Sequence, residues 1–390
     1  MKQKNLIMFL VFLFIFADIL CENFIGIIYN KEPQTAEFFL FLSFVLMQII
    51  FAPIQSGLSD TYGRKRSLLV SLSFSLLSLV FLLIFNNLAA LISFVILATI
   101  VKGIVGNTLP ISLAVIADTQ GKNYRIAFAC STAAYALAYL ILASIIDLIS
   151  VKQSNLYLIL LFLLLVIFCF VFFRKTEVKN KKRNENEFNS IVSVFKNETR
   201  LIIKDLKHTP TSKALAAFFL WETSLYSILI SQVDFQLNKQ THIAQSMMLG
   251  YLLGVFILFL INKTEDRKII RLGYCTSFFS LVPYFLLFQV VVDQKELLRV
   301  CYFFHALGNA FLSPALLSML AKERKSHEQG RIYGLTDSVD TLGFLCATIA
   351  IMIFNFLKLE LIYLISFSFL TFAFSWMFYG RFQKIKNEKI

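Results

Sequence analysis

Charge is scarce in this chain, and so are the side chains from which soluble enzymes build their chemistry. Asp, Glu, Lys and Arg make up 16% of the 390 residues against 58% hydrophobic. No single soluble core could absorb that much apolar surface, so a bilayer must serve as solvent. Histidine occurs four times and cysteine six. Cys21, Cys130, Cys169, Cys275, Cys301 and Cys346 fall within or at the ends of apolar segments without metal-ligand spacing, and they read as small buried apolar residues. Neither a metal nor a disulfide is expected. There is no P-loop glycine run, zinc-binding histidine pair or nucleophile elbow. An enzyme, a bound cofactor and a built-in ATPase engine are therefore not expected, which leaves an ion gradient or the substrate's own gradient as the energy source.

What the chain has in abundance is long apolar runs. Twelve are long enough to cross a hydrocarbon layer, near residues 5–29, 36–58, 67–85, 88–116, 125–147, 155–173, 214–236, 243–261, 269–292, 297–320, 331–356 and 360–380. The first is too long for a signal-peptide core and lacks a convincing cleavage site, so it reads as a retained helix. An even number of spans puts both termini on one side. That side carries 30 of the 37 Lys and Arg, and the positive-inside rule places it in the cytoplasm. The net charge of +13 follows from this topology, and no nucleic-acid partner is needed to explain it. Abundant Lys, Asn, Ile and Phe point to an AT-rich bacterial genome, hence to the cytoplasmic membrane.

Between the second and third runs lies GLSDTYGRKR, from Gly57 to Arg66. Two glycines permit a tight turn and close helix approach, while Asp60 and the trio Arg64, Lys65 and Arg66 can pair with neighbouring helix ends. The string resembles the loop 2–3 signature of the major facilitator superfamily. The resemblance implies an all-α membrane protein, with twelve transmembrane helices in two pseudo-symmetric six-helix bundles that alternate access to a central cavity. It also implies that Gly57, Asp60, Gly63, Arg64 and Lys65 form a gating loop that locks the outward-facing state.

The chain is built twice. Asp18 and Glu222, Lys102 and His305, Gly106-Asn107 and Gly308-Asn309, Pro110 and Pro314, and Arg64 and Arg267 each recur at an offset of 202 to 204 residues. Such recurrence is the mark of a parallel repeat. It divides the chain into a bundle over 1–173, a basic linker over 174–213, and a second bundle with a short tail over 214–390. The second copy of the loop keeps Arg267 and Lys268 but lacks both glycines and any acid matching Asp60. Within the linker, Ile191, Val194, Phe195, Leu201, Ile202 and Leu206 recur at helical spacing with Lys196, Arg200, Lys204 and Lys207 between them. That pattern suits either an amphipathic helix on an anionic leaflet or a disordered tether.

Ionisable groups inside spans are costly unless they face a cavity or a partner, so they mark candidate sites. Asp18 and Glu22 share one face of the first span, Lys102 lies in the fourth, Glu222 beside Trp221 in the seventh, and His305 in the tenth. The resemblance implies that these four spans line the cavity, and that Lys102 with Gly106 stands where the family carries an arginine four residues before a glycine. A mid-membrane carboxylate is a natural proton carrier, and Asp18, Glu22, Lys102, Glu222 and His305 are the coupling or substrate candidates. A salt bridge that merely neutralises Asp18 is the structural alternative for Lys102. Asp337 and Asp340 read as gate-stabilising partners of Arg331 or of loop bases. The glycine-proline motif that drug/proton antiporters carry late in the fifth span is missing from Ala136 to Ser144, which reads ALAYLILAS. The expected function is proton-coupled export of a small amphipathic or cationic molecule by a monomer. The alternatives are proton symport of a nutrient such as an amino or organic acid, with Lys102 and His305 as its contacts, and a transport-dead sensor or lipid-interacting protein.

Overall fold

The computed structural model describes residues 7–18, 34–85, 100–120, 124–148, 191–231, 240–287, 294–322, 328–359 and 361–387. Among these residues the secondary structure is helical, with no strand. In chain order the helices are α1 (Ile7–Asp18), α2 (Gln34–Tyr62), α3 (Arg64–Phe85), α4 (residues 100–105), α5 (Thr108–Gln120), α6 (Tyr124–Leu148), α7 (Ile191–Lys207), α8 (Thr209–Ser231), α9 (Gln240–Leu260), α10 (Asp266–Leu287), α11 (Gln294–Lys322), α12 (Gln329–Phe356) and α13 (Leu361–Asn387). The span expected at 155–173 and the residues Glu22, Cys21 and Cys169 lie outside the described residues.

Large apolar side chains face outward on these helices, among them Phe256, Phe259, Leu260, Phe279 and Phe356. In water such a surface would drive association, whereas lipid tails solvate it at no penalty. Polar groups turn inward instead. Ser224 donates to the Ser368 carbonyl at 2.7 Å, Ser227 and Ser368 share a hydrogen bond of 2.7 Å, and Tyr274 meets Ser375 at 2.6 Å. Small hydroxyls let α8, α10 and α13 approach closely while satisfying one another. On α11, Ala306 and Ala310 do the same for Tyr251 of α9 and Ala136 of α6.

Two compact units emerge. One contains residues 1–124, 137–202 and 321–338; the other contains 125–136, 203–320 and 339–390. Helices α6, α7 and α12 each run from one unit into the other.

Two local features differ from the expectations. The turn expected between the second and third spans is a single residue: α2 continues to Tyr62 and α3 begins at Arg64. Gly63 alone stands outside the helices, at φ 99°. That left-handed geometry is open to glycine and strained for a side chain. The fourth span is in turn two helices, because the path breaks at Gly106 and Asn107 and restarts at Thr108. Pro110 then falls in the first turn of α5, where its missing N–H has no intrahelical bond to lose.

Candidate functional site

In the first unit a helix break is built around one carboxylate. Asp18, the last residue of α1, is 2% exposed, and its Oδ1 accepts from Lys102 Nζ in a buried ion pair. Ser75 Oγ donates to the same oxygen at 3.2 Å, and the backbone N–H of Thr108 donates to Oδ2 at 3.2 Å. The acid thus sits at the N-terminus of α5, where free amides and the helix dipole favour negative charge.

Breaking a helix in a low-dielectric setting exposes backbone groups that must find partners. Here each one does. Lys102 Nζ donates to the Gly106 carbonyl at 2.6 Å, Asn107 Nδ2 to the Gly103 carbonyl at 2.9 Å, and Gln55 Nε2 to the Val105 carbonyl. Gln55 Oε1 in return accepts the Asn107 N–H at 3.1 Å, so one amide side chain of α2 braces both edges of the break. Gln55 was not anticipated from the sequence, although a glutamine two residues after Pro53 in an apolar run is a readable signal.

The second unit gathers a different cluster. Glu222 on α8 is 1% exposed and within hydrogen-bond reach of Asp340 on α12, which also accepts from Tyr226 Oη at 3.3 Å. His305 on α11 stacks on Trp221 with ring centroids 6.2 Å apart and planes 12° apart, and Tyr226 meets Phe344 edge-on at 5.0 Å. Gly343 of α12 leaves the space against which Glu222 packs; a Cβ there would lie 2.9 Å from the Glu222 Cβ. Three buried polar atoms, Glu222 Oε2, His305 Nδ1 and Trp221 Nε1, find no hydrogen-bond partner among the described residues.

Residues of the Gly57–Arg66 string form a network within the first unit. Arg64 pairs with Asp60, with Asp118 through Nε at 3.1 Å, and with Ser59 Oγ at 2.6 Å. Asp60 accepts the backbone N–H groups of Gly330 and Arg331, each at 3.2 Å, and so caps the start of α12. Arg331 turns to Glu198 of α7 at 3.6 Å, and both are buried. Lys65 is half-buried in the first turn of α3.

The candidates therefore separate into groups. Asp18 meets Lys102, Glu222 meets Asp340, His305 meets Trp221, and Asp60 meets Arg64. Among the described residues the expected pairing of Asp337 and Asp340 with Arg331 is not what forms: Asp337 accepts from Gln48 at 3.4 Å and Asp340 faces Glu222, because the two acids lie six and nine residues beyond Arg331, well along α12 from its N-terminal turn. The second copy of the loop does hold an acid, at Asp266, which takes Arg125 Nη1 at 2.8 Å and Ser318 Oγ at 3.2 Å. It was missed because it lies a few residues beyond the place that the repeat offset assigns to the match of Asp60. Among the described residues, Cys130, Cys275, Cys301 and Cys346 are free, and no cluster has the makings of a metal site.

Comparison with known proteins places this geometry. Residues 6–348 match the family described as the Major Facilitator Superfamily. The tetracycline resistance protein, class B, of Escherichia coli is 27% identical over 314 residues, covering 76% of this chain and 73% of that protein. Among solved structures, the human organic anion transporter MFSD10 (TETRAN) aligns at TM-score 0.70 with 14% identity over 98% of both chains. The transporter FucP in its outward conformation aligns at 0.68 with 13% identity, over 98% of this chain and 99% of that one. At those identities the structures speak for the fold alone, whereas the family match extends over most of the sequence. The chain is an integral membrane transporter, not an enzyme, and it belongs to the major facilitator superfamily.

Proposed function

We propose that this transporter is a proton-coupled exporter of a small amphipathic or cationic compound, working as a monomer by alternating access. Its two six-helix halves, divided at 174–213, would lie in a bacterial cytoplasmic membrane with both termini inside. The observation that carries the reading is the contact between Glu222 and Asp340. Two carboxylates facing each other repel, and either a shared proton or an arriving cation relieves the repulsion. An arriving cation would find a proton to displace, a carboxylate oxygen with no other partner among the described residues, and the aromatic faces of Trp221, Tyr226 and Phe344 to rest against. One positive charge enters as one proton leaves.

In this scheme Asp18 and Lys102 are a fixed pair that holds the α4/α5 break, Glu22 is a further acid four residues beyond Asp18 in the sequence, and His305 keeps Trp221 in place. Gly57, Asp60, Gly63, Arg64 and Lys65 lock one end of the cycle by capping α12. The likeness to a tetracycline resistance protein supports efflux and suggests a polycyclic amphipathic compound as the first substrate to try. Uptake through Lys102 and His305 is the weaker reading, because Lys102 is already bound to Asp18 and to the Gly106 carbonyl.

The test is internal pH in proteoliposomes as lipophilic cations and tetracycline are added, wild type beside Glu222→Gln. Proton movement opposite to the compound, lost in the variant, is the expected result. Protons that enter together with an amino or organic acid would make the protein an importer.

A further inference from the structure

Helix α7 has an unusual division of its surface. Its basic and bulky apolar side chains point outward: Phe195, Lys196, Arg200, Ile203, Lys204, Leu206 and Lys207 are all exposed. Its acids point inward, with Glu198 1% and Asp205 3% exposed. The two acids are seven residues apart and so share one stripe of the helix with Leu201 and Ile202, while Lys196, Arg200 and Lys207 occupy the opposite side. A soluble linker helix would turn its carboxylates to water and its apolar stripe to the protein. This one does the reverse with both its charges and part of its apolar surface.

The inward side meets the gating network directly. Glu198 lies 3.6 Å from Arg331, the residue whose amide Asp60 caps. It also packs over Gly57, where a Cβ would stand 2.6 Å from the Glu198 carboxylate oxygen. Glycine at 57 is what lets the carboxylate approach the helix backbone so closely. Phe195 flanks the contact, 6.0 Å from Phe51 of α2. A buried arginine left without its carboxylate is strongly unfavourable, so undocking α7 would loosen the capped start of α12 as well.

We propose that α7 is a latch that reads anionic lipid: its outer face binds the headgroups of an anionic leaflet while Glu198 holds Arg331 and stabilises the capped gating loop. The outer face carries four bases together with Phe195, Ile203 and Leu206, the combination that seats a helix at a charged bilayer surface. The occupant is an anionic phospholipid, because a protein partner would have to bring acids and leave lipid-facing phenylalanine and isoleucine covered. The proposal rests on the cytoplasmic placement of the linker but on neither the substrate nor the direction of transport. Its test can therefore fail while the export reading stands, and the reverse.

The experiment is amide hydrogen exchange on the full-length protein in nanodiscs of phosphatidylcholine with and without phosphatidylglycerol. For the wild type, exchange over 195–207 and over the loop 57–66 should both slow in the anionic discs, by about tenfold or more for four bases near a charged surface. A variant with Lys196, Arg200, Lys204 and Lys207 all changed to glutamine should lose both responses. Glu198→Gln should keep the response of the helix and lose that of the loop, which also shows that the variant is folded and its helix still bound. Lipid-insensitive exchange of the wild-type helix overturns the lipid face. A loop response that survives Glu198→Gln overturns the latch.

Discussion

The fourth and tenth spans are copies of one another in sequence, yet they solve the same problem differently. In the first copy a lysine faces Asp18, the helix breaks at Gly106-Asn107, and the Gly103, Val105 and Gly106 carbonyls and the Asn107 and Thr108 amides are taken up by Lys102, Asn107, Gln55 or Asp18. In the second, the helix runs unbroken past Gly308-Asn309, with Pro314 well inside it. Histidine stands where the lysine would be. It stacks on Trp221, and Glu222 turns to Asp340. Among the described residues one site is well partnered and the other is left with open donors and acceptors. A saturated buried charge is scaffolding, because moving it leaves several groups unpaired at once. An under-partnered one is free to gain and lose a proton or a ligand at small structural expense.

The largest effect should come from removing the lysine. Lys102→Met leaves Asp18 buried beside no counter-charge and uncaps the Gly106 carbonyl, an expected loss of about 3–5 kcal/mol of stability. Thermal unfolding in detergent reads this as a marked fall in Tm. Adding Asp18→Asn should restore much of it, since a neutral amide needs no cation. A single variant as stable as the wild type would mean that the first copy is no more committed than the second.

A smaller effect tests the break itself. Gln55→Leu preserves bulk but strands the Val105 carbonyl and the Asn107 N–H, which at roughly 1–2 kcal/mol each, the lower part of the range because both bonds are only part-buried, predicts a loss of about 2–4 kcal/mol. Hydrogen exchange should localise the change to residues 103–109. If exchange there is unaltered while α2 loosens, Gln55 braces its own helix and not the break.

How much of this was legible beforehand follows from which physics reaches the sequence. The helical membrane class and the family string from Gly57 to Arg66 are written in composition and spacing, and the bilayer enforces the apolar runs residue by residue. Isolated charges in apolar runs likewise announce Asp18, Lys102, Glu222 and His305. Their partners are another matter, because pairing depends on helix rotation. Asp340 looked like a neighbour of Arg331 along the chain, yet its face of α12 turns to Glu222. Glu198 drew no notice in the sequence, and it is buried against Arg331 because the helix presents its acids inward. The break in the fourth span was foreshadowed by Gly106-Asn107 ahead of Pro110. The same residues at 308, 309 and 314 leave α11 intact, so the motif alone does not decide between the two outcomes.

The mildest change is therefore the sharpest comparison. His305→Phe keeps an aromatic ring in the stack on Trp221 and strands no charge, because among the described residues no acid is paired with His305 as Asp18 is with Lys102. The expected loss is under about 1.5 kcal/mol, the range of a near-isosteric core exchange, and well below that of Lys102→Met. Unfolding of the two variants side by side decides the matter. A ratio near the expected one says that evolution of the repeat fixed a charge pair in one half and released its counterpart for exchange. Equal losses would say that His305 holds the second half together as firmly as Lys102 holds the first, and the proton would then have to be sought at Glu22 or elsewhere on the first span.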